Sequence, residues 1–179
     1  MSHSQWEKKK YKKAASEGKI SKLYSKLVRN IMSEVKKSGG NRDADSVRAA
    51  ITKARSYDMP NENIERAIAR ASEPSAALES ITYEAYGPGG VGIVIEALTE
   101  NRNKAAQEIK HILSKHGAVL GAIGSVVWNF TKIQDGNGFH WIPKSTLSLE
   151  DKEEEALALL IDELEQNDEV QDVYTNATN

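Results

Sequence analysis

Five lysines, Lys8, Lys9, Lys10, Lys12 and Lys13, precede a segment that carries Lys19, Lys22, Lys26 and Arg29. Cations at this density suit a polyanion, because each one that meets a phosphate releases a condensed counterion whatever the base sequence. Lys22, Lys26 and Arg29 stand at i, i+4 and i+7, so on a helix they share one face and flank the apolar stripe. Trp6, Tyr11 and Tyr24 interleave with these cations and offer rings on which unpaired bases stack. Tyr24 adjoins Leu23 and reads as a core anchor, which leaves Trp6 as the better stacking candidate. A merely solvated charge run is the bland alternative. The pattern does not choose between DNA, where a helix lies in the major groove, and structured RNA, where a flexible aromatic arm fits.

Other chemistry finds little support. The histidines are His3, His111, His116 and His140; His111 and His116 are five apart, which is not the i, i+4 spacing of a helical metal pair. With no cysteine, disulfides, thiolate zinc sites and cysteine nucleophiles are excluded. No serine sits in a G-x-S-x-G elbow. The segment Gly87-Pro88-Gly89-Gly90 does not match a phosphate-binding loop and reads as a tight turn between strands. The expectation is a protein that is not an enzyme and holds neither a cofactor nor a metal.

The elements that must position the basic residues follow from periodicity. Leu23, Leu27, Ile31 and Val35 repeat every four residues and predict a helix from Ser21 that Gly39-Gly40 ends. Val47, Ile51 and Ala54 predict a second helix after Asp43 and Asp45, and Ile64, Ala67, Ile68 and Ala71 a third opening at Met59-Pro60-Asn61. Ahead of them, residues 4–15 are polar and basic enough to predict a mobile arm or frayed helix. Residues 73–80 read as a linker, and the texture then changes. Strands are predicted over 81–86, 91–98 and 125–130, a hairpin at Asp135-Gly136-Asn137-Gly138 with 139–142 pairing back, and a last strand over 170–174. Helices are predicted over 102–116 and, introduced by Ser148, along Leu157, Leu160, Ile161 and Leu164. The fold class is therefore α+β: an N-terminal three-helix bundle, then a ferredoxin-like-type α/β sandwich with a mainly antiparallel sheet and two helices.

Charge divides the same way. The 179 residues hold 24 Lys+Arg and 26 Asp+Glu, a net −2. Residues 1–80 are net +7 and residues 81–179 net −9. Two domains are expected, a basic helical one at 1–76 and an acidic α+β one at 77–179. No apolar run reaches a membrane span and the N-terminus has no signal-peptide core, so a soluble protein of a reducing compartment is expected.

Several segments together resemble the YebC/PmpR family: H-S-x-W at 3–6, S-K-L-Y-S-K-L-V-R at 21–29, M-P-N-E-N-I-E-R-A-I at 59–68 and Y-E-A-Y-G-P-G-G-V at 83–91. L-T-E-N-R-N at 98–103, S-K-H-G at 114–117, L-G-A-I-G-S-V at 120–126 and V-Q-D-V-Y-T-N at 170–176 extend the likeness along the chain. The resemblance implies a three-helix domain followed by α+β domains in a bacterial, cytoplasmic, non-enzymatic protein. It implies a regulator that binds promoter DNA, or a ribosome-associated translation factor, as with mitochondrial relatives that activate translation of a cytochrome oxidase subunit. Typical members insert a further α+β domain before the final helix; here only residues 131–147 fill that place, so the chain resembles a shortened form. A glycine usual before His3 is missing, and Gln5 stands where lysine is common.

The expected partner is nucleic acid, either DNA or ribosomal RNA, with the ribosome as an associated partner, no membrane, and a monomer as the favoured state. The contacts fall to Trp6, Lys8, Lys9, Lys10, Lys12, Lys13, Lys19, Lys22, Lys26 and Arg29. An adaptor that docks partners through the acidic helix at 150–165 is the alternative outside this class.

Overall fold

The fourfold repeat of Leu27, Ile31 and Val35 is satisfied by a single long helix, α1 (Glu17–Lys37), whose buried stripe these residues form. The computed structural model describes residues 17–74 and 77–178, of which 17–19 by backbone alone. Helices α2 (Asp45–Ser56) and α3 (Asn61–Ala71) follow, and both pack against α1. Val47, Ala50, Ile51, Ala54, Ile64, Ala67 and Ala71 join the α1 stripe in one core. Pro60 stands at the N-cap of α3 rather than inside it, one residue before the expected place. Asp58, at a φ of 58°, makes the turn between α2 and α3, and the Tyr24 hydroxyl donates to its carbonyl at 3.0 Å. That bond fixes Tyr24 against the core, as its position beside Leu23 predicts.

The described residues divide into two compact units. One comprises those up to Leu78 together with Gln134–His140; the other comprises Glu79–Ile133 and the residues from Trp141 onward. In the second unit β1 (Glu79–Tyr86) and β2 (Gly92–Thr99) pair antiparallel along their full length. A 3-10 turn at Pro88–Gly90 joins them, so the glycine-rich segment is the inter-strand turn the sequence indicates. Its Gly89 has a φ of +67°, and a Cβ there would lie 2.6 Å from Leu149 Cδ2. A residue without a side chain is required where the turn meets the approach to the final helix.

Helix α4 (Arg102–Lys115) is capped by the Asn101 side chain, which accepts from the Lys104 N–H at 3.1 Å. It leads to β3 (Val119–Leu120), a two-residue edge strand on β1 that periodicity does not reveal. The hairpin of β4 (Phe130–Asp135) and β5 (Gly138–Pro143) forms at the Asp-Gly-Asn-Gly signal. Helix α5 (Asp151–Gln166) and β6 (Val170–Thr175) complete the chain. Ser148 does not cap α5: Glu150 occupies that place, its N–H donating to the Glu153 carboxylate at 2.9 Å.

The four-stranded sheet runs β3-β1-β2-β6, with every neighbouring pair antiparallel. α4 and α5 pack on each other and on this sheet. Ile93, Ile95 and Ala97 alternate with Val94, Glu96 and Leu98 along β2, and both sets are covered, which is why the strand reads as a continuous apolar run. Val94 and Tyr174 pack with Val126, Phe130 and Trp141, so Phe130 and Trp141 lie against the sheet on the Val94 side. The structure is thus a mixed one of helices and antiparallel sheets. Its second unit opens on a hairpin, ββαβ, where a ferredoxin-like order opens βαβ.

One predicted strand is absent. Residues 125–130 were expected as a strand, but a turn and a 3-10 segment at Val127–Asn129 occupy them, and β4 begins only at Phe130. The cause is Glu84 in β1. Its carboxylate accepts from the N–H groups of Gly124 (2.6 Å), Val126 (2.7 Å) and Val127 (2.8 Å), donors that a ladder would otherwise use.

Candidate nucleic-acid interface

α1 carries the described part of the basic cluster. Trp6, Lys8, Lys9, Lys10, Lys12 and Lys13 lie outside the described residues, and Lys19 is described by its backbone only. Because α1 is unbroken from Glu17 to Lys37, Lys22, Lys26 and Arg29 do fall along one side of it. Their accessibility differs. Lys22 is exposed and Arg29 half-buried, while Lys26 is only 7% exposed beside Leu27 and belongs to the edge of the core. Equal spacing on a helix does not give equal access when the face borders the buried stripe. Of these three, Lys22 and Arg29 are the ones whose side chains reach solvent.

Several later cations of the helical unit are engaged by acids. Arg42 grips Glu65 with both guanidinium nitrogens, at 2.7 and 2.5 Å, and its hydrogen bonds hold the Glu65 carboxyl below the usual range. Arg48 pairs with Asp45, Arg66 with Glu62, and Lys37 with Glu34. Charge counts agree with this. Residues 34–80 hold eight Lys+Arg and eight Asp+Glu, whereas residues 1–33 hold nine and two. The whole +7 excess of the first 80 residues therefore sits in the first 33. Exposed ion pairs add little stability, but they cancel the field of the cations they engage.

Neither of the helical histidines of the second unit is arranged as a metal pair. His116, just past the end of α4, contacts Glu163 of α5. His116 and then Lys115 hold the Glu163 carboxyl below its ordinary value. Among the described residues no group of three or more His, Asp or Glu is placed to hold a metal ion. No helix among them is long and apolar enough to cross a membrane.

Sequence reasoning missed Glu84. It is 5% exposed; burial pushes its carboxyl up, and the three backbone N–H bonds outweigh that and bring it below the ordinary value. A glutamate in a β-rich run followed forty residues later by a Gly-x-x-Gly segment was the available signal, but nothing local connects the two.

Comparison with known proteins decides the family. Residues 4–74 match the model described as the TACO1/YebC protein N-terminal domain, and residues 78–135 and 132–177 match that of the TACO1/YebC second and third domain. The chain belongs to the TACO1/YebC family. It is 33% identical over 234 aligned positions to a "Probable transcriptional regulatory protein" of Thermoanaerobacter pseudethanolicus, covering 97% of this chain and 95% of that one. A protein of the same description from Dictyoglomus turgidum is 47% identical over 131 positions, 72% of this chain and 53% of the relative. A crystal structure of a conserved hypothetical protein from Aquifex aeolicus matches with a TM-score of 0.78 at 27% identity, over 88% of this chain and 90% of that one.

Within the TACO1/YebC family this chain is short. The 234-position alignment exceeds its 179 residues, so the Thermoanaerobacter relative has a stretch with no counterpart here. The two matched segments of the second-and-third-domain model meet at residues 132–135, in strand β4. That places the shortening at the β4–β5 hairpin, inside the interval 131–147 to which the resemblance assigns it.

Proposed function

We propose that this TACO1/YebC protein is a non-enzymatic, cytoplasmic regulator of gene expression that binds nucleic acid through its N-terminal domain. The observation that carries the reading is the confinement of the positive excess to residues 1–33, next to a helical unit whose later cations are matched by acids. Lys8, Lys9, Lys10, Lys12, Lys13, Lys19, Lys22 and Arg29 contact phosphates, Lys26 lends its charge from the edge of the core, and Trp6 stacks on a base. The three helices act as a bundle that presents this stretch. The relatives' description as transcriptional regulatory proteins supports DNA as the target.

A second reading has its own support. With residues 81–179 at net −9, that half is repelled by any polyanion, and a ribosome offers basic proteins for it to face alongside RNA for the basic half. Sedimentation of a cell lysate through a gradient, with and without nucleases, tests both. Co-migration with ribosomes that survives DNase and is lost with RNase establishes the translation factor. Failure to migrate, with a shift of duplex DNA at physiological salt, establishes the transcriptional regulator. Neither behaviour means that the protein does not bind nucleic acid.

A further inference from the structure

The loop that Glu84 fastens is rigid on its inner side and apolar on its outer side. Besides the three N–H bonds to the carboxylate, the Gly121 N–H donates to the Glu84 carbonyl at 2.7 Å, and the Ser125 hydroxyl donates to the Ala122 carbonyl at 2.6 Å. Asn129, buried at the loop's end, accepts from the Ser145 N–H and donates to its carbonyl, which ties residues 144–145 to the loop. From this frame three large apolar side chains face solvent: Ile123 is 98% exposed, Trp128 67% and Tyr86 42%. The Trp128 Nε1–H and the Tyr86 hydroxyl both donate to the Ser125 carbonyl, each at 2.8 Å. Single exposed hydrophobics are ordinary, but three gathered on an over-determined loop are not.

We propose that the Trp128–Tyr86–Ile123 loop is a stacking platform for unpaired bases of single-stranded RNA. The N–H and O–H donors of both rings are already engaged by one carbonyl, and what the rings offer a ligand is chiefly their surface, which every base matches with its own π-face. Charge favours the same occupant. Residues 117–134 contain no Asp or Glu, although residues 81–179 contain 16. Lys144, held by the Asn129 tie, donates to the Trp128 carbonyl at 3.0 Å and keeps further N–H donors for a phosphate beside a stacked base. A polyanion approaches this stretch without meeting carboxylates on the loop itself. Duplex DNA has no unstacked base to offer, so the platform distinguishes single strands from duplex.

The proposal rests on the nucleic-acid reading above, and its test separates the two. The full chain is titrated against a fluorescein-labelled 20-nucleotide single-stranded RNA of mixed sequence and against duplex DNA of the same sequence. Trp128→Ala weakens RNA binding about ten-fold, Trp128→Phe restores most of it, and duplex affinity and thermal stability stay unchanged. An alanine variant that binds the RNA as tightly as wild type overturns the platform while leaving the basic N-terminal domain as the binding site. A wild type that binds neither probe overturns both readings. A variant that keeps its RNA affinity but no longer co-sediments with a nuclease-treated protein complex makes the loop a protein-docking surface, which also overturns the proposal.

Discussion

Reversing Lys9, Lys12 and Lys13 together to Glu is expected to weaken nucleic-acid binding about a hundred-fold at physiological salt while leaving the melting temperature unchanged. Each phosphate contact on B-DNA contributes about 0.9 to the slope of log affinity against log salt, so three lost contacts amount to roughly two decades between 1 M and 0.15 M salt. Replacement by Glu adds repulsion to that loss. Stability is spared because residues 4–15 offer only Trp6 and Tyr11 as large apolar groups, while the core of the helical unit is formed by residues from Leu23 onward. Gel shift or fluorescence anisotropy reads the affinity, and calorimetry reads the fold. A variant that binds like wild type would remove these lysines from the interface.

Glu84→Gln is expected to destabilise the α+β unit by about 3 kcal/mol, the largest effect anticipated for a volume-conserving change in the second half. Hydrogen bonds to a charged acceptor contribute about 1.5–3 kcal/mol each, and this carboxylate takes three. The glutamine amide retains one acceptor oxygen and turns its NH2 toward N–H groups, which leaves donors unpaired in a buried site. Chemical denaturation followed by far-UV circular dichroism measures the loss. The pH dependence has a defined sign. Because the folded carboxyl is held below its ordinary value, its stabilising contribution is complete above about pH 4.3, the unfolded value. It is lost as pH falls through the lower folded value. Wild type therefore loses stability on acidification below that point, and the glutamine variant loses less over the same interval.

Glu84 also marks the limit of what the sequence discloses. The helices were legible because their stripes are local: Leu27, Ile31 and Val35 needed only the period of a helix to be assigned to a core. The turn at Pro88–Gly90 and the β4–β5 hairpin were legible because their glycines specify backbone geometry within four residues. Residues 125–130 were read as a strand because Val126, Val127 and Phe130 have the composition of one. A carboxylate some forty positions earlier takes their N–H groups instead, and no window of local pattern contains both partners. β3 escaped because two residues on an edge generate no periodicity.

The proposed binding site was legible in one respect and not in another. Charge counting alone located the basic half. Pairings such as Arg42 with Glu65, 23 residues apart, were not readable, because no local window contains both partners. Nor was the burial of Lys26, whose spacing matches that of the exposed Lys22. The chain's brevity within its family was legible as a gap of only 17 residues, 131–147, where a domain is expected.

The central claim is that residues 1–33 bind nucleic acid by neutralising phosphates, and the salt dependence of binding tests it most directly. The affinity of the full chain for a 20-base-pair duplex and for a single-stranded RNA of the same length is to be measured from 50 to 400 mM salt. The account predicts a linear fall of log affinity with log salt, with a slope of about −7 on duplex DNA from eight contacts, and a slope shallower by about 2.7 for the triple reversal. Binding that is absent, or that is indifferent to salt and to the reversal, would contradict it.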